Sequence, residues 1–303
     1  MERTATWSSI GTDVRELTTV EDVLAKAKLN YLVSKEQMTT ASGIIVPDRI
    51  ATVTNEETPR YLGCVSPKFE ILQNEDAFGF VNDIHEGFEF VKAGETHNGM
   101  IYIIGKLPDM DILGDKVTPH VIVQNGHNGR YGLRTTIVPL RIVCQNQFNM
   151  AFKESPNTIH IKHSANITTR VEEAQRLLKG VAAYMDTFEA NANELANIKF
   201  GKEGAIQVID SFFKKMADAK SSEASVLKVM DQRDSFLRAY NDEDNQNFLG
   251  TGWGLVNAFT DFETHKQVKQ TENAADSKFL TVTFDPKAMN MFMEHLYAMA
   301  PAA

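Results

Sequence analysis

Residues 120–143 read HVIVQNGHNGRYGLRTTIVPLRIV. Two β-rich runs flank a Gly- and Asn-rich break, and both Asn125-Gly126 and Asn128-Gly129 favour the positive φ of tight hairpin turns. The stretch reads as a hairpin, and neighbouring runs repeat the pattern. IIVPDRIATVT, RYLGCVSP, FEFVKAG and GMIYIIGKL precede it and TIHIKH follows, bounded by Gly, Pro, Asn or Asp. Parallel strands need crossovers of about a dozen residues or more, so a largely antiparallel sheet is expected between residues 43 and 165.

Helices are expected before, within and after that run of strands. TTVEDVLAKAKLNYLV (18–33) opens with Thr18 or Thr19 as N-cap, has acids in its first turn, and spaces Val20, Val23, Leu24 and Ala27 helically. EDAFGFVNDIHEG, between the strands, also reads as helix. After HSAN, the residues Val171, Ala174, Leu178, Val181, Met185, Phe188, Ala192 and Leu195 recur every three or four positions, a long helix with one apolar seam. That seam docks either on the sheet or on a second copy. Helical patterning continues over 203–240, YNDEDNQN breaks it, and a further helix carries Trp253, Val256, Phe259 and Phe262 on one face. KFLTVTF and a helix start at Asp285-Pro286 close the chain. The expected fold class is α+β, with 1–200 as an α+β core and 201–303 as a mainly helical region packed on it.

The 43% hydrophobic and 23% charged content is that of a folding globular chain rather than a disordered one. No basic start followed by an apolar run opens the sequence, and no run of about 18 apolar residues occurs. The expected setting is therefore the cytoplasm. Cys64 and Cys144 are 80 positions apart without a C-x-x-C, which suits two buried thiols in a reducing compartment.

Charge is distributed unevenly. Between Lys116 and Val171 the only acid is Glu154, against Lys116, Arg130, Arg134, Arg141, Lys153, Lys162 and Arg170, in a chain of net charge -9. With 40 acids in 303 residues, such a stretch would ordinarily hold about seven. His120, His127, His160 and His163 fall there as well. Central strands are depleted of acids for packing reasons, which explains missing carboxylates but not retained cations. A projecting loop with Arg130, Tyr131 and Arg134 is a means of gripping phosphates and stacking an unpaired base. An acidic protein surface would suit the same cations.

Catalytic and cofactor patterns do not assemble. His160 and His163, three apart in a strand, point to opposite faces and do not converge on a metal without a bulge. GKEG and GTGWG complete neither a P-loop nor a G-x-G-x-x-G, and there is no G-x-S-x-G or H-E-x-x-H. No cofactor is expected. Gln145, Asn146, Gln147 and Asn149, after IVPLRIVC, suit either base edges or the capping of a strand end.

Several motifs taken in order carry a family resemblance. They are W-x-x-I-G-T-D-V from Trp7, T-V-E-D-V-L from Thr19, V-P-D-R-x-A-T-V from Val46, Q-N-x-x-A-F from Gln73, and the N-G-H-N-G hairpin. P-L-R-I-V-C-Q-N from Pro139, I-x-H-S-x-N from Ile161 and G-T-G-W-G-L-x-N-A-F-T-D-F from Gly250 complete the set. Over almost the whole chain they resemble the phage/plasmid-like protein family, of uncharacterised function. In the hairpin the family usually shows Ser before the His and Asp after it, where this chain has Gly126 and Asn128. The resemblance implies a setting in phages, prophages or plasmids and supplies no catalytic residues. The element order is similar to that of phage single-strand annealing proteins, which place a basic groove around an oligomeric ring.

The expectation is thus a non-enzymatic, homo-oligomeric protein that binds and anneals single-stranded DNA in recombination or replication. Lys116, Arg130, Arg134, Arg141, Lys153 and Lys162 would hold phosphates and Tyr131 would stack on a base. The alternatives are a protein that antagonises a host factor through an acidic partner, and a metal-dependent hydrolase or nuclease built from distant carboxylates.

Overall fold

The computed structural model describes residues 4–84, 87–150, 157–160, 167–267 and 271–301. Its strands are β1 (Thr12–Asp13), β2 (Val33–Thr39), β3 (Ile45–Thr54), β4 (Tyr61–Val65), β5 (Glu89–Glu95), β6 (Ile101–Lys106), β7 (Met110–Ile112), β8 (Asp115–Asn125), β9 (Arg134–Arg141) and β10 (Thr158–His160). Its helices are α1 (Val20–Lys26), α2 (Asn74–Phe78), α3 (Ile167–Asn197), α4 (Gly201–Asp218), α5 (Glu223–Tyr240), α6 (Gly252–His265), α7 (Ala274–Phe284) and α8 (Lys287–Ala298). The expected α+β class holds, with antiparallel hairpins followed by helices.

Two sheets form, with antiparallel pairing throughout. The larger has seven strands in the order β1-β5-β6-β8-β9-β10, with β7 also on β8, and the smaller runs β2-β3-β4. The larger sheet is covered on both faces, so its central strands are apolar at successive positions instead of alternating. Ile101, Ile103, Val121, Val123 and Ile137 enter the main core, while Tyr102, Ile104, Ile122, Val138 and Leu140 pack with Trp7, Ile10 and Phe279 on the opposite face.

The first helix is shorter than its sequence pattern. Thr19 caps it as expected, accepting from the Asp22 amide, but it stops at Lys26. Lys28 takes a left-handed φ of 57°, and the Leu29 amide donates to the Leu24 carbonyl while the Lys28 amide donates to Ala25. This is the Schellman closure, with lysine where glycine usually sits. The freed residues then lead into β2.

The seam of α3 docks within the chain: Val181, Met185, Phe188, Ala192 and Leu195 are all buried in the main core. The side chains of Val171 and Ala174 lie outside the described residues. Helix α6 is buried all round from Gly252 to Phe262, as a central helix must be. Trp253 stacks on Phe148 at 5.4 Å and meets Phe188 edge-on at 5.8 Å, and Phe259 lies flat on Phe292 at 4.3 Å. The main buried cluster includes residues from Val14 to Leu296, so α4, α5, α6 and α8 share one core with the sheets, while α7 places Phe279 in the second cluster.

Phe259→Ala should lower unfolding stability by about 3–5 kcal/mol, measured by urea denaturation. Val143→Ala, at a side chain 56% exposed, should stay within about 0.5 kcal/mol.

Candidate functional site

The cations of the acid-poor stretch do not form one patch. Lys116 lies at the start of β8 and Gln124, the partner of Arg134, near its end. Eight extended residues separate them, about 27 Å at about 3.4 Å per residue. Arg141 pairs with Val117 at the Lys116 end, while Arg130, Tyr131 and Arg134 occupy the other. Lys153, Lys162 and His163 lie outside the described residues, and only the backbone of His160 is described.

Arg141 belongs to the interior, a correction to its expected role. It is 3% exposed, donates through Nε to Asp115 Oδ2 at 2.8 Å and through Nη2 to the Asp244 carbonyl at 2.7 Å, and faces the Phe248 ring. Burial alone would depress its pKa, and the Asp115 hydrogen bond and charge reverse the sign, keeping the guanidinium charged. Lys116 stays exposed, 4.0 Å from Asp111 Oδ2. Both acids stand just ahead of the acid-poor stretch and reach it by strand pairing.

The amides after β9 tie the structure together. Asn146 donates to Thr260 Oγ1 at 2.6 Å and to the Asn257 carbonyl, and accepts from the Cys144 thiol. Gln147 accepts from the Thr6 amide at 2.7 Å and donates to Thr283 Oγ1. Gln145 bonds the Ile142 carbonyl, and Asn149 accepts from Asn157. Of the two thiols, Cys144 is buried, its pKa pushed up to about 11 by burial, and Cys64 is exposed rather than buried.

The β8–β9 connection is a folded loop over 126–133, neither a tight turn nor a projection. His127 explains the difference. It is 2% exposed, its Nε2 is 3.0 Å from Asn74 Oδ1, and its carbonyl accepts from Thr52 Oγ1 at 2.8 Å, so the loop is pinned against β3 of the smaller sheet. Gly63 on β4 permits this approach, since a Cβ there would lie 2.5 Å from Asn128 Cα. Gly129 supplies the positive φ, 74°. Tyr131 packs partly buried against the second apolar cluster, so its ring is engaged in the fold. Arg134 rests on the Gln124 amide, whose oxygen, with the amide turned to satisfy both of its ends, accepts at 2.9 and 3.3 Å. Arg130 remains exposed, with no ion pair among the described residues.

Pinning the loop creates a cleft of about 790 Å³ where β4, the β5–β6 turn, this loop and the start of α7 meet, within the usual range for ligand sites. Arg60, Tyr61, Glu95, Asn98, Arg130 and Asp276 are on its wall. Tyr61 is 63% exposed. Arg60 lies 5.0 Å over the Tyr31 ring and pairs with Glu56 at 3.2 Å and Glu95 at 3.4 Å. Asp276 accepts from the His97 amide at 2.6 Å and faces its Nδ1 at 3.3 Å, joining the β5–β6 turn to α7. Of the expected residues that are described, the cleft gathers Arg130 alone. The others come from positions between 60 and 276 that no local motif joins; the one available signal was the Arg-Tyr pair at 60–61, which repeats the pair at 130–131.

Among the described residues no three His, Cys, Asp or Glu side chains are grouped to hold a metal ion, and no helix is long and apolar enough to cross a membrane. Fold and cleft together define a mixed α+β protein with a polar cleft between two antiparallel sheets. The chain belongs to the DUF932 family, a domain of unknown function, whose model matches residues 61–282 and so includes every cleft residue named above except Arg60. No curated protein and no solved structure matches it.

Burial lowers the pKa of His120 and of His127 to about 4. Between the ordinary value near 6.5 and about 4, the unfolded chain binds protons that the folded chain refuses. Stability should therefore be complete above about pH 6.5 and fall as pH drops toward 4, seen as a declining urea midpoint. Arg141→Ala should cost about 3–5 kcal/mol by stranding Asp115, whereas Lys116→Ala should change stability by less than about 0.5 kcal/mol.

Proposed function

We propose that this protein binds single-stranded nucleic acid, seating a base in the cleft while the backbone crosses its rim. The observation that carries the reading is the presence on one cleft of Arg130, without an ion pair among the described residues, and Tyr61, whose side chain is largely in solvent. An arginine positions a phosphate, and an exposed aromatic ring stacks on any base that has left its helix. Arg60 adds a second cation: its exposed pair with Glu56 is worth at most about 1 kcal/mol and its contact with Glu95 is long at 3.4 Å, so a phosphate can compete for it. The base-stacking role thus passes from Tyr131 to Tyr61.

In the phage or plasmid setting that the motif resemblance implies, the process served is strand annealing in recombination or replication. Annealing needs no nucleotide hydrolysis, since base pairing supplies the free energy. A homo-oligomer would present several such clefts along one strand.

Fluorescence anisotropy of labelled oligo-dT across a salt series tests the reading. Binding should weaken with salt, with a logarithmic slope of about 0.7 per phosphate engaged. Arg130→Ala should lower that slope without moving the urea midpoint, and Tyr61→Ala should cost about 1–3 kcal/mol of binding. Absence of binding to both single and double strands at low salt would overturn the proposal.

A further inference from the structure

We infer that the cleft selects guanine and that Glu95 is the residue that reads it; this rests on the nucleic-acid reading above. A cleft that receives a polyanion is here lined by two carboxylates, Glu95 and Asp276. Carboxylates repel phosphate, so the part of the ligand that reaches them must be a base edge that donates hydrogen bonds. An ionised carboxylate only accepts, through two oxygens.

The four Watson–Crick edges differ in what they offer such a group. Guanine presents two adjacent donors, its ring N1–H and its 2-amino group, which match the two oxygens. Adenine and cytosine each set one amino donor beside a ring nitrogen whose lone pair faces the carboxylate. Thymine flanks its single N–H with two carbonyl oxygens. Guanine alone meets both oxygens without opposing lone pairs.

The geometry favours Glu95 over Asp276. Asp276 Oδ2 is committed to the His97 amide at 2.6 Å and faces the His97 ring at 3.3 Å. Among the described residues Glu95 Oε2 holds only two long contacts, the Tyr31 hydroxyl at 3.3 Å and Arg60 Nη1 at 3.4 Å, both beyond the usual distance of a strong charge-assisted bond. Its side chain is 21% exposed. Those two neighbours orient the carboxylate at low cost while leaving it able to exchange them for a base.

The test uses labelled oligo-dT strands with one central position replaced by dG, dI, dA or dC, bound to the full chain and read by anisotropy. Inosine keeps the ring N1–H and lacks the 2-amino group, so it isolates the second hydrogen bond. The dG strand should bind on the order of tenfold more tightly than the dI, dA, dC and plain dT strands. In Glu95→Gln, whose amide offers one acceptor and one donor, the ratio of dG to dI affinity should collapse toward one. Equal affinities for dG and dI in the unaltered protein would overturn the inference while leaving the nucleic-acid reading in place. A dG preference that survives Glu95→Gln would overturn the assignment to Glu95, and no binding to any strand would overturn both readings.

Discussion

Strand β8 is buried on both faces from Val117 to Asn125, and the rest of the molecule is arranged around that demand. An antiparallel sheet can leave one face in water; one whose central strand reads V-T-P-H-V-I-V-Q-N cannot. One face takes α3 and the segments around Val14 to Leu29 into the main core. The other receives Trp7 and Ile10 from the N-terminal segment and Phe279 from α7, with Phe279 5.1 Å from the Tyr102 ring. The chain therefore has to return after α6 to cover the second face. That return brings Asn273 and Asp276 to the β5–β6 turn and closes the far wall of the cleft. The cleft is thus a consequence of covering the sheet twice.

Polar side chains fasten the two covers where apolar contact alone would leave them free to slide. Gln147 is 2% exposed and reaches three separate elements: its side chain bonds the Thr6 amide and Thr283 on α7, and its own amide bonds Thr264 on α6. A buried amide left unpaired costs more than the bond returns when made, so such a network favours one arrangement over near alternatives of equal apolar area. Asn146 performs the same task against Thr260 and Asn257. Positioning α7 in this way also positions Asp276, and with it the clasp to His97.

The elements most legible in the sequence were those with local causes. Apart from β7, the strands from Ile45 to Arg141 declare themselves by β-rich runs and turn residues, and the seam of α3 by its period. The extent of α1 was misread because a Schellman closure normally announces itself by glycine, and here Lys28 fills the position. β2 escaped notice because VSKEQMT has little apolar content, and its middle is exposed. The cleft was the least legible part. Arg130 was visible inside a basic run, but Arg60, Tyr61, Glu95 and Asp276 meet it only through sheet pairing and the return of α7. Tyr131 and Tyr61 each follow an arginine, and nothing local separates the ring that packs inward from the one left in solvent.

The acid-poor stretch has an explanation that the sequence alone left divided. Carboxylates are missing because β8 and β9 are covered on both faces, where an unpaired charge carries a large desolvation cost. Among the described side chains, three of the four cations have something to hold. Arg141 takes Asp115 and a carbonyl, Lys116 lies near Asp111, and Arg134 rests on the Gln124 amide. The two acids lie one and five positions before the stretch begins, so a count within the window sees the arginine and the lysine without their partners. Arg130 is exposed on the outer part of the loop, beyond the buried His127. Among the described side chains two cations of the stretch thus have no ion pair, Arg134, which a neutral amide holds, and Arg130, which stands on the cleft. The functional argument therefore rests on where that residue stands and what faces it, rather than on the size of the surplus.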